Sequence, residues 1–215
     1  MNLPSRLITS AFLSAVLAAT IGAACSSNPS IPEDDSAAIK EIEAHRADLD
    51  RFMREDAASP IPANKKNVLI PLRYYPPDPS FSVPAVLNIK SGARPVMEVP
   101  TSTGAPRRVE LVGTLDFTLR AEKLALSAFV DEGTRQITRL FVPFADSTSG
   151  TDTYPAGRYL DLEPTATGIY TIDFNKAYNP YCAYNNTYEC PLPPPSNRLK
   201  VAITAGEKLP ADHAG

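Results

Sequence analysis

The chain has 215 residues, with 21 Lys and Arg against 24 Asp and Glu and a net charge of −3 at pH 7. At 43% hydrophobic and 21% charged residues it has ordinary globular composition and room for one domain with a real core. Its 22 prolines argue against a helical bundle, its mild acidity against nucleic-acid binding, which needs a clustered basic face, and its two histidines against a His-rich metal site.

Residues 1–24 read as an export signal. One charge, Arg6, precedes an 18-residue apolar run from Leu7 to Ala24 that ends in small residues. The run is at the short limit for a membrane span, and Thr9, Ser10, Ser14 and Thr20 dilute it. It meets a cysteine in Gly22-Ala23-Ala24-Cys25, which resembles a bacterial lipobox with Gly22 in place of the usual Leu. The resemblance implies cleavage before Cys25, lipidation of that residue with palmitate-type chains, and anchoring to the cell membrane. Ser26, rather than Asp, after the cysteine implies the outer membrane if the host is Gram-negative. One acyl chain holds only marginally, at roughly 0.8 kcal/mol per buried CH₂, so a stable anchor needs more than one. Residues 25–35 form a polar tether with two prolines and no periodicity, expected to be disordered. Without the leader, 20 basic residues face 24 acidic ones. An acidic domain gains nothing from an anionic membrane surface, so the lipid on Cys25 is the expected link to the membrane.

Ser36–Asp56 carries the helical pattern. Ile39, Ile42, Leu49 and Phe52/Met53 recur near one face, and Asp35 or Ser36 is placed to cap the first turn. Ser59-Pro60-Ile61-Pro62 ends it. From Val68 the pattern changes to short apolar runs between turns. Strands are expected at Ser82–Ile89, Val109–Leu119, Leu124–Val130, Gln136–Phe144, Arg158–Leu162, Ile169–Phe174 and Leu199–Thr204. Pro84 marks the first of these as an edge or bulged strand. Arg120–Lys123 and Asp131–Thr134 read as turns. The expected architecture is mainly β: a single antiparallel barrel or sandwich over residues 36–208, with one N-terminal amphipathic helix and a loose tail at 209–215. The pattern leaves barrel and sandwich both open.

Candidate chemistry concentrates in Asp173–Leu199, which holds four of the nine tyrosines, five prolines and both remaining cysteines. Long proline-stiffened loops are often functional, and tyrosine offers a flat apolar face with a hydroxyl. Arg158, Asn175, Tyr178, Asn179, Tyr184 and Asn197 are the candidate ligand-binding residues. Arg158 has the fork geometry for a carboxylate or phosphate, or for an ion pair with Asp161 or Asp173. The asparagines suit either a ligand or the loop's own backbone. With Cys25 lipidated, Cys182 and Cys190 are an even pair in an exported domain, which favours a disulfide contributing about 2–3 kcal/mol in the chain-entropy model. Two free buried thiols, or a nucleophilic thiol, are the alternatives. Two cysteines at this spacing supply half of a zinc site, so no metal and no cofactor are expected.

The stretches LFVPFADSTSGTDTYPAGRYLDL (residues 140–162) and DFNKAYNPYCAYNNTYECPLPPPSNRL (residues 173–199), followed by AGEK (205–208), resemble the uncharacterised family called domain of unknown function 1684. Weaker likeness runs upstream through VGTLDFTL (112–119), SPIP (59–62) and the helix, and so spans nearly all of the chain after the leader. Ile70-Pro71-Leu72 replaces the family's usual Gly-Leu before its aromatic pair, and Ser196 stands where the family often has Glu, so an acid role there is unsupported. The family brings no mechanism. Three functions remain: a lipid-anchored binding or structural module of the envelope that meets a small ligand, an envelope enzyme using the Asn/Tyr/Cys loop near Arg158, or assembly with another envelope protein through the helix or an edge strand. An enzyme requires a polar pocket joining Arg158 to Asn175, Tyr178 and Asn179. A structural role buries the same groups without a cavity.

Overall fold

The computed structural model describes residues 35–89 and 92–213, so the expected leader, Cys25 and the tether up to residue 34 lie outside the described residues. Helix α1 spans Ser36–Glu55 and buries Ile42 and Met53, with Leu49 and Phe52 half-buried beside them. Asp35 occupies the N-cap position but makes no side-chain cap bond. The other end is tied down by Ser59, whose hydroxyl donates to the Met53 carbonyl at 2.6 Å and accepts from the Ile61 N–H at 3.2 Å. Among the described residues no helix is long and apolar enough to cross a membrane.

Among the described residues seven strands follow: β1 Ser82–Asn88, β2 Val96–Pro100, β3 Pro106–Leu119, β4 Glu122–Asp131, β5 Leu140–Phe144, β6 Arg158–Leu162 and β7 Ile169–Asp173. They form one antiparallel sheet in the order β6-β5-β4-β3-β1-β7, with β2 also on β3. The long strand β3 serves β2 through its first half and β1 through its second. A bulge between Leu111 and Gly113 separates the two halves. Such an extra residue bends and twists its strand. A Cβ on Gly113 would lie 2.5 Å from the Asn88 carbonyl oxygen, so only glycine fits the bend. The sheet curls into a half-barrel. Its end strands β6 and β7 share no ladder, and Ala38, Glu41 and Ile42 of α1 line the gap between them with Leu160, Leu162 and Tyr170. The helix therefore covers the seam that strand pairing leaves open.

The main core fills the curl with Phe81, Leu115, Leu126, Leu140, Phe144, Ile172, Phe174 and Ile203. Each such side chain contributes about 1.5–3 kcal/mol on burial, so this face carries the fold. A second cluster, Met53, Ile61, Leu69, Ile70, Leu72 and Tyr184, seats the helix on the chain's later loops.

Four expectations are corrected. Pro84 lies in an internal strand, because the β1–β3 ladder starts one residue later at Ala85–Phe117 and the proline interrupts no pair there. Leu199–Thr204 is not a strand. It makes single bonds, Leu199 N–H to the Ala145 carbonyl and Ser147 N–H to the Val201 carbonyl, without continuing a ladder. Strand β2 is missed by the alternation pattern, since only Val99 of its five residues is buried. The expected loose tail is held as far as His213 by Leu209 N–H to the Asp152 carbonyl, an Asp212–Lys65 ion pair at 2.8 Å, and a contact of the His213 ring with the Ala183 carbonyl.

Candidate functional site

Arg158 opens β6 immediately after Gly157, whose φ is +87°. A Cβ at Gly157 would sit 2.4 Å from the Phe144 carbonyl oxygen, so this entry to the strand is reserved for glycine. The Arg158 side chain is fully buried and pairs with Asp146 at 2.9 Å. It also donates to the carbonyls of Ile203, Ala205 and Glu207, and its guanidinium lies 5.2 Å from the centre of the Phe144 ring. Its ionic partner is thus Asp146, neither Asp161 nor Asp173. Asp146 in turn accepts from the Thr148 N–H and hydroxyl and from the Ile203 N–H. The pair stitches residues 203–207 to the sheet.

The asparagines do similar work. Asn197 is fully buried; its Oδ1 accepts from the Ser127 N–H at 2.8 Å, and its Nδ2 donates to the carbonyls of Ser127 and Pro143. Asn175 likewise grips both backbone groups of Asp78. Each amide pairs with one residue as a neighbouring strand would, which satisfies buried backbone where the ladder stops. Asn179 donates from its N–H to Glu207 at 2.9 Å and from Nδ2 to the Lys208 carbonyl at 2.8 Å, and the buried Tyr184 hydroxyl donates to the same Glu207 oxygen. The expected constellation is therefore dispersed into separate structural contacts: Arg158 with Asp146, Asn175 with Asp78, Asn197 with Ser127, and Asn179 with Tyr184 on Glu207.

Glu207 is the residue that sequence reading passed over, although it lies in the AGEK stretch. It is 1% exposed, and burial raises its carboxyl from 4.5 to about 7, against the pull of the Tyr184 and Asn179 donors and of Arg158. Its Oε1, the Asn179 Oδ1 and the Tyr74 hydroxyl are buried without a protein partner.

Tyr178 alone of the six candidates faces an open concavity. A groove of about 640 Å³ runs beneath α1 along the outer side of β3–β6, within the size range of small-molecule sites. Tyr159, Tyr178, Tyr181 and Tyr188 line it, with Phe141 and Leu49. Phe141 meets Tyr159 edge-on at 4.8 Å, and Tyr181 meets Tyr188 edge-on at 5.3 Å. The Asp173–Leu199 loop is pinned to β6 by reciprocal backbone bonds between Tyr159 and Tyr178, at 2.8 and 3.0 Å, which hold the aromatic wall in place. The Tyr178 hydroxyl donates to Asp161 at 2.8 Å, and the Tyr159 hydroxyl donates to the Pro191 carbonyl at 2.6 Å.

The groove's three cations are each ion-paired. Arg107 pairs with Asp131 at 2.6 Å, Arg139 with Asp161 at 3.2 Å, and Lys176 with Glu41 at 3.0 Å, while Glu189 accepts from the Thr101 hydroxyl at 2.9 Å. Burial, and then the nearby Lys176, hold the His45 imidazole below its ordinary value, so it is neutral at pH 7. Burial, and then Asp161, keep the Tyr178 hydroxyl protonated. The site offers ring faces, hydroxyls and paired polar groups, without a concentrated charge of either sign. Tyr181, Tyr188 and Arg139 were visible only as members of a tyrosine-rich segment and a strand run. Their convergence depends on the loop folding back across β6.

Cys182 and Cys190, expected as a disulfide, are free thiols in the structure, and the Cys182 N–H donates to the Cys190 sulfur at 3.1 Å. Among the described residues no group of three or more His, Cys, Asp or Glu side chains is placed to hold a metal ion.

Comparison with known families matches residues 70–208 to the family described as protein of unknown function, DUF1684. Among solved structures the chain is similar to the solution NMR structure of an uncharacterized protein from the gene locus rrnAC0354 of Haloarcula marismortui. That protein is 39% identical with a TM-score of 0.65, over 83% of this chain and 97% of that one. No curated protein matches the chain.

Proposed function

We propose, for a chain that belongs to the DUF1684 family of proteins of unknown function, that it is a lipid-anchored binding module of the cell envelope whose tyrosine-lined groove takes an uncharged, sugar-like ligand. The observation that carries the reading is the groove's composition. Four tyrosine rings line a concavity whose three cations are already ion-paired, Arg107 with Asp131, Arg139 with Asp161 and Lys176 with Glu41 of α1. Flat apolar faces beside satisfied polar groups suit a ring with a CH face and peripheral hydroxyls. An anionic ligand would need an unpaired cation, because burying its charge unpaired is costly. The burial of Arg158, Asn175, Asn179, Tyr184 and Asn197 in structural bonds favours the binding reading over the enzyme reading built on them.

The Leu7–Cys25 run supports export and anchoring through lipid on Cys25. Metabolic labelling with a palmitate analogue tests this part: label on the wild-type chain and none on Cys25→Ala is expected, and label on both contradicts it. Ligand binding is tested separately. The chain has nine tyrosines and no tryptophan, and four of the nine line the groove, so a ligand there changes the tyrosine fluorescence. Titration with neutral oligosaccharides (tetraoses of glucose and of N-acetylglucosamine) is expected to give saturable changes that Tyr181→Ala and Tyr188→Ala abolish. Saturable binding that both variants retain, or no binding across the panel, contradicts the reading.

A further inference from the structure

We propose that Cys182 and Cys190 form a reversible dithiol–disulfide couple at the rim of the groove, with Cys182 the attacking sulfur and Cys190 the resolving one, exchanging with disulfide substrates. The inference stands independently of what the groove binds. Three observations carry it.

The first is adjacency with asymmetry. The two cysteines are eight residues apart in sequence, and the backbone N–H of one donates to the sulfur of the other at 3.1 Å. Cys182 is partly exposed, whereas Cys190 is buried and lines the groove wall. An attacking thiol needs access, and a resolving thiol needs only its neighbour.

The second is that the loop holds its shape without the bond. Its far end is fixed by Ser102 N–H to the Cys190 carbonyl at 2.9 Å, Cys190 N–H to the Ser102 hydroxyl at 3.1 Å, and Leu192 N–H to the Pro100 carbonyl at 2.8 Å. Its near end is fixed by Ala183 N–H to the Pro180 carbonyl at 2.9 Å and Asn185 N–H to the Tyr181 carbonyl at 3.0 Å. The dithiol state is therefore a folded state, and opening or closing the bond needs no rearrangement of the sheet.

The third is the company that Cys182 keeps. The Tyr154 hydroxyl lies 3.9 Å from its sulfur, in donor geometry. Hydrogen bonds from Cys190, Tyr154 and Ser102 favour the thiolate and bring Cys182 down to about 7, while the Cys182 thiolate and burial push Cys190 up. Two thiols with opposite displacements divide the roles of attacker and resolver.

The exchange balances as follows. The Cys182 thiolate attacks one sulfur of R–S–S–R, forming Cys182–S–S–R and releasing R–S⁻, which takes a proton from solvent. Cys190 gives up its proton and attacks the Cys182 sulfur, forming the Cys182–Cys190 disulfide and releasing the second R–S⁻, which leaves as R–SH. The pair is oxidised by two electrons and the substrate disulfide is reduced to two thiols.

Both cysteines fall in one tryptic peptide, residues 177–198, so the state of the pair is read without interference from Cys25. The full chain is equilibrated in graded ratios of oxidised to reduced glutathione, quenched with acid, alkylated and digested. The expected result is a smooth, reversible loss of two hydrogens from this peptide as the oxidised fraction rises, complete without denaturant. A brief iodoacetamide pulse at pH 7 on the reduced chain is expected to label Cys182 at least about tenfold faster than Cys190. The wild-type chain alone decides both points, so no variant has to fold. A pair that never loses two hydrogens overturns the proposal. So does a disulfide that reduced glutathione opens only under denaturing conditions, since that is a static staple. Faster labelling of Cys190 also overturns it, because the roles would be reversed.

Discussion

Replacing Glu207 with glutamine isolates the effect of one buried proton on stability. In the folded chain burial raises this carboxyl to about 7, whereas in the unfolded chain it returns to its ordinary 4.5. The folded state then binds the proton more tightly than the unfolded state. Its contribution is fully present below about 4.5 and is lost as the pH rises towards 7. The slope is about 1.4 kcal/mol per pH unit over that window, and the total is about 3 kcal/mol. Glutamine keeps a carbonyl oxygen to accept from the Tyr184 hydroxyl and the Asn179 N–H, and it does not titrate. Urea unfolding of the wild type and Glu207→Gln, at half-unit steps from pH 4 to 8 with reductant present, measures the difference directly. The wild type is expected to lose about 3 kcal/mol relative to the variant between pH 4.5 and 7 and to stay level above 7. Other carboxylates titrate in both proteins and cancel. A difference that stays flat across the range, or that moves in the wild type's favour as pH rises, would mean that the two donors hold Glu207 charged. Burial would then not be the dominant influence.

Asp146→Asn leaves the Arg158 guanidinium buried without its counter-ion, and breaking such a pair from one side costs about 3–5 kcal/mol. Denaturant unfolding checks this, and Asp146→Leu combined with Arg158→Met is expected to recover part of the loss. Asn197→Ala strands the Ser127 N–H and the Ser127 and Pro143 carbonyls, at about 1–3 kcal/mol for each buried group that finds no new partner. Thermal unfolding is expected to shift downward, whereas a mere ligand contact would leave the apo protein's melting point unchanged.

The parts of this fold that were legible in the sequence are those governed by local periodicity. The apolar face of α1 and the alternation of Leu115, Phe117 and Leu119 identify their elements because burial repeats at the period of the structure. The Arg120-Ala121 hairpin was legible only in outline. Both residues adopt positive φ, which the sequence would ordinarily mark with Asn or Gly. Here Arg120 packs over the Phe81 ring at 4.2 Å and pairs with Asp78 at 3.3 Å, and these contacts hold a backbone that local preference disfavours. The strand Val96–Pro100 was hidden because an edge strand with one buried residue has no period to read. The site was less legible still. Arg158 and the asparagines have the composition of a ligand site, and their actual partners, Asp146, Asp78 and Ser127, are set by long-range closure. The tyrosine-rich segment does point to the groove, but of the two tyrosines that the sequence marks as candidates, Tyr178 lines it and Tyr184 is buried on Glu207. Tyr181 and Tyr188 reach the groove through two tight turns that no spacing rule specifies.

On the proposed reading, ligand binding resides in the tyrosine groove and not around Arg158. The most direct measurement is an amide NMR titration of the full chain with a neutral tetraose. Saturable shifts are expected at Thr138, Phe141, Tyr181 and Tyr188, with the amides of Arg158, Asn175 and Asn197 unmoved. Shifts centred on Arg158 and Asn175, or shifts that never saturate, would contradict it.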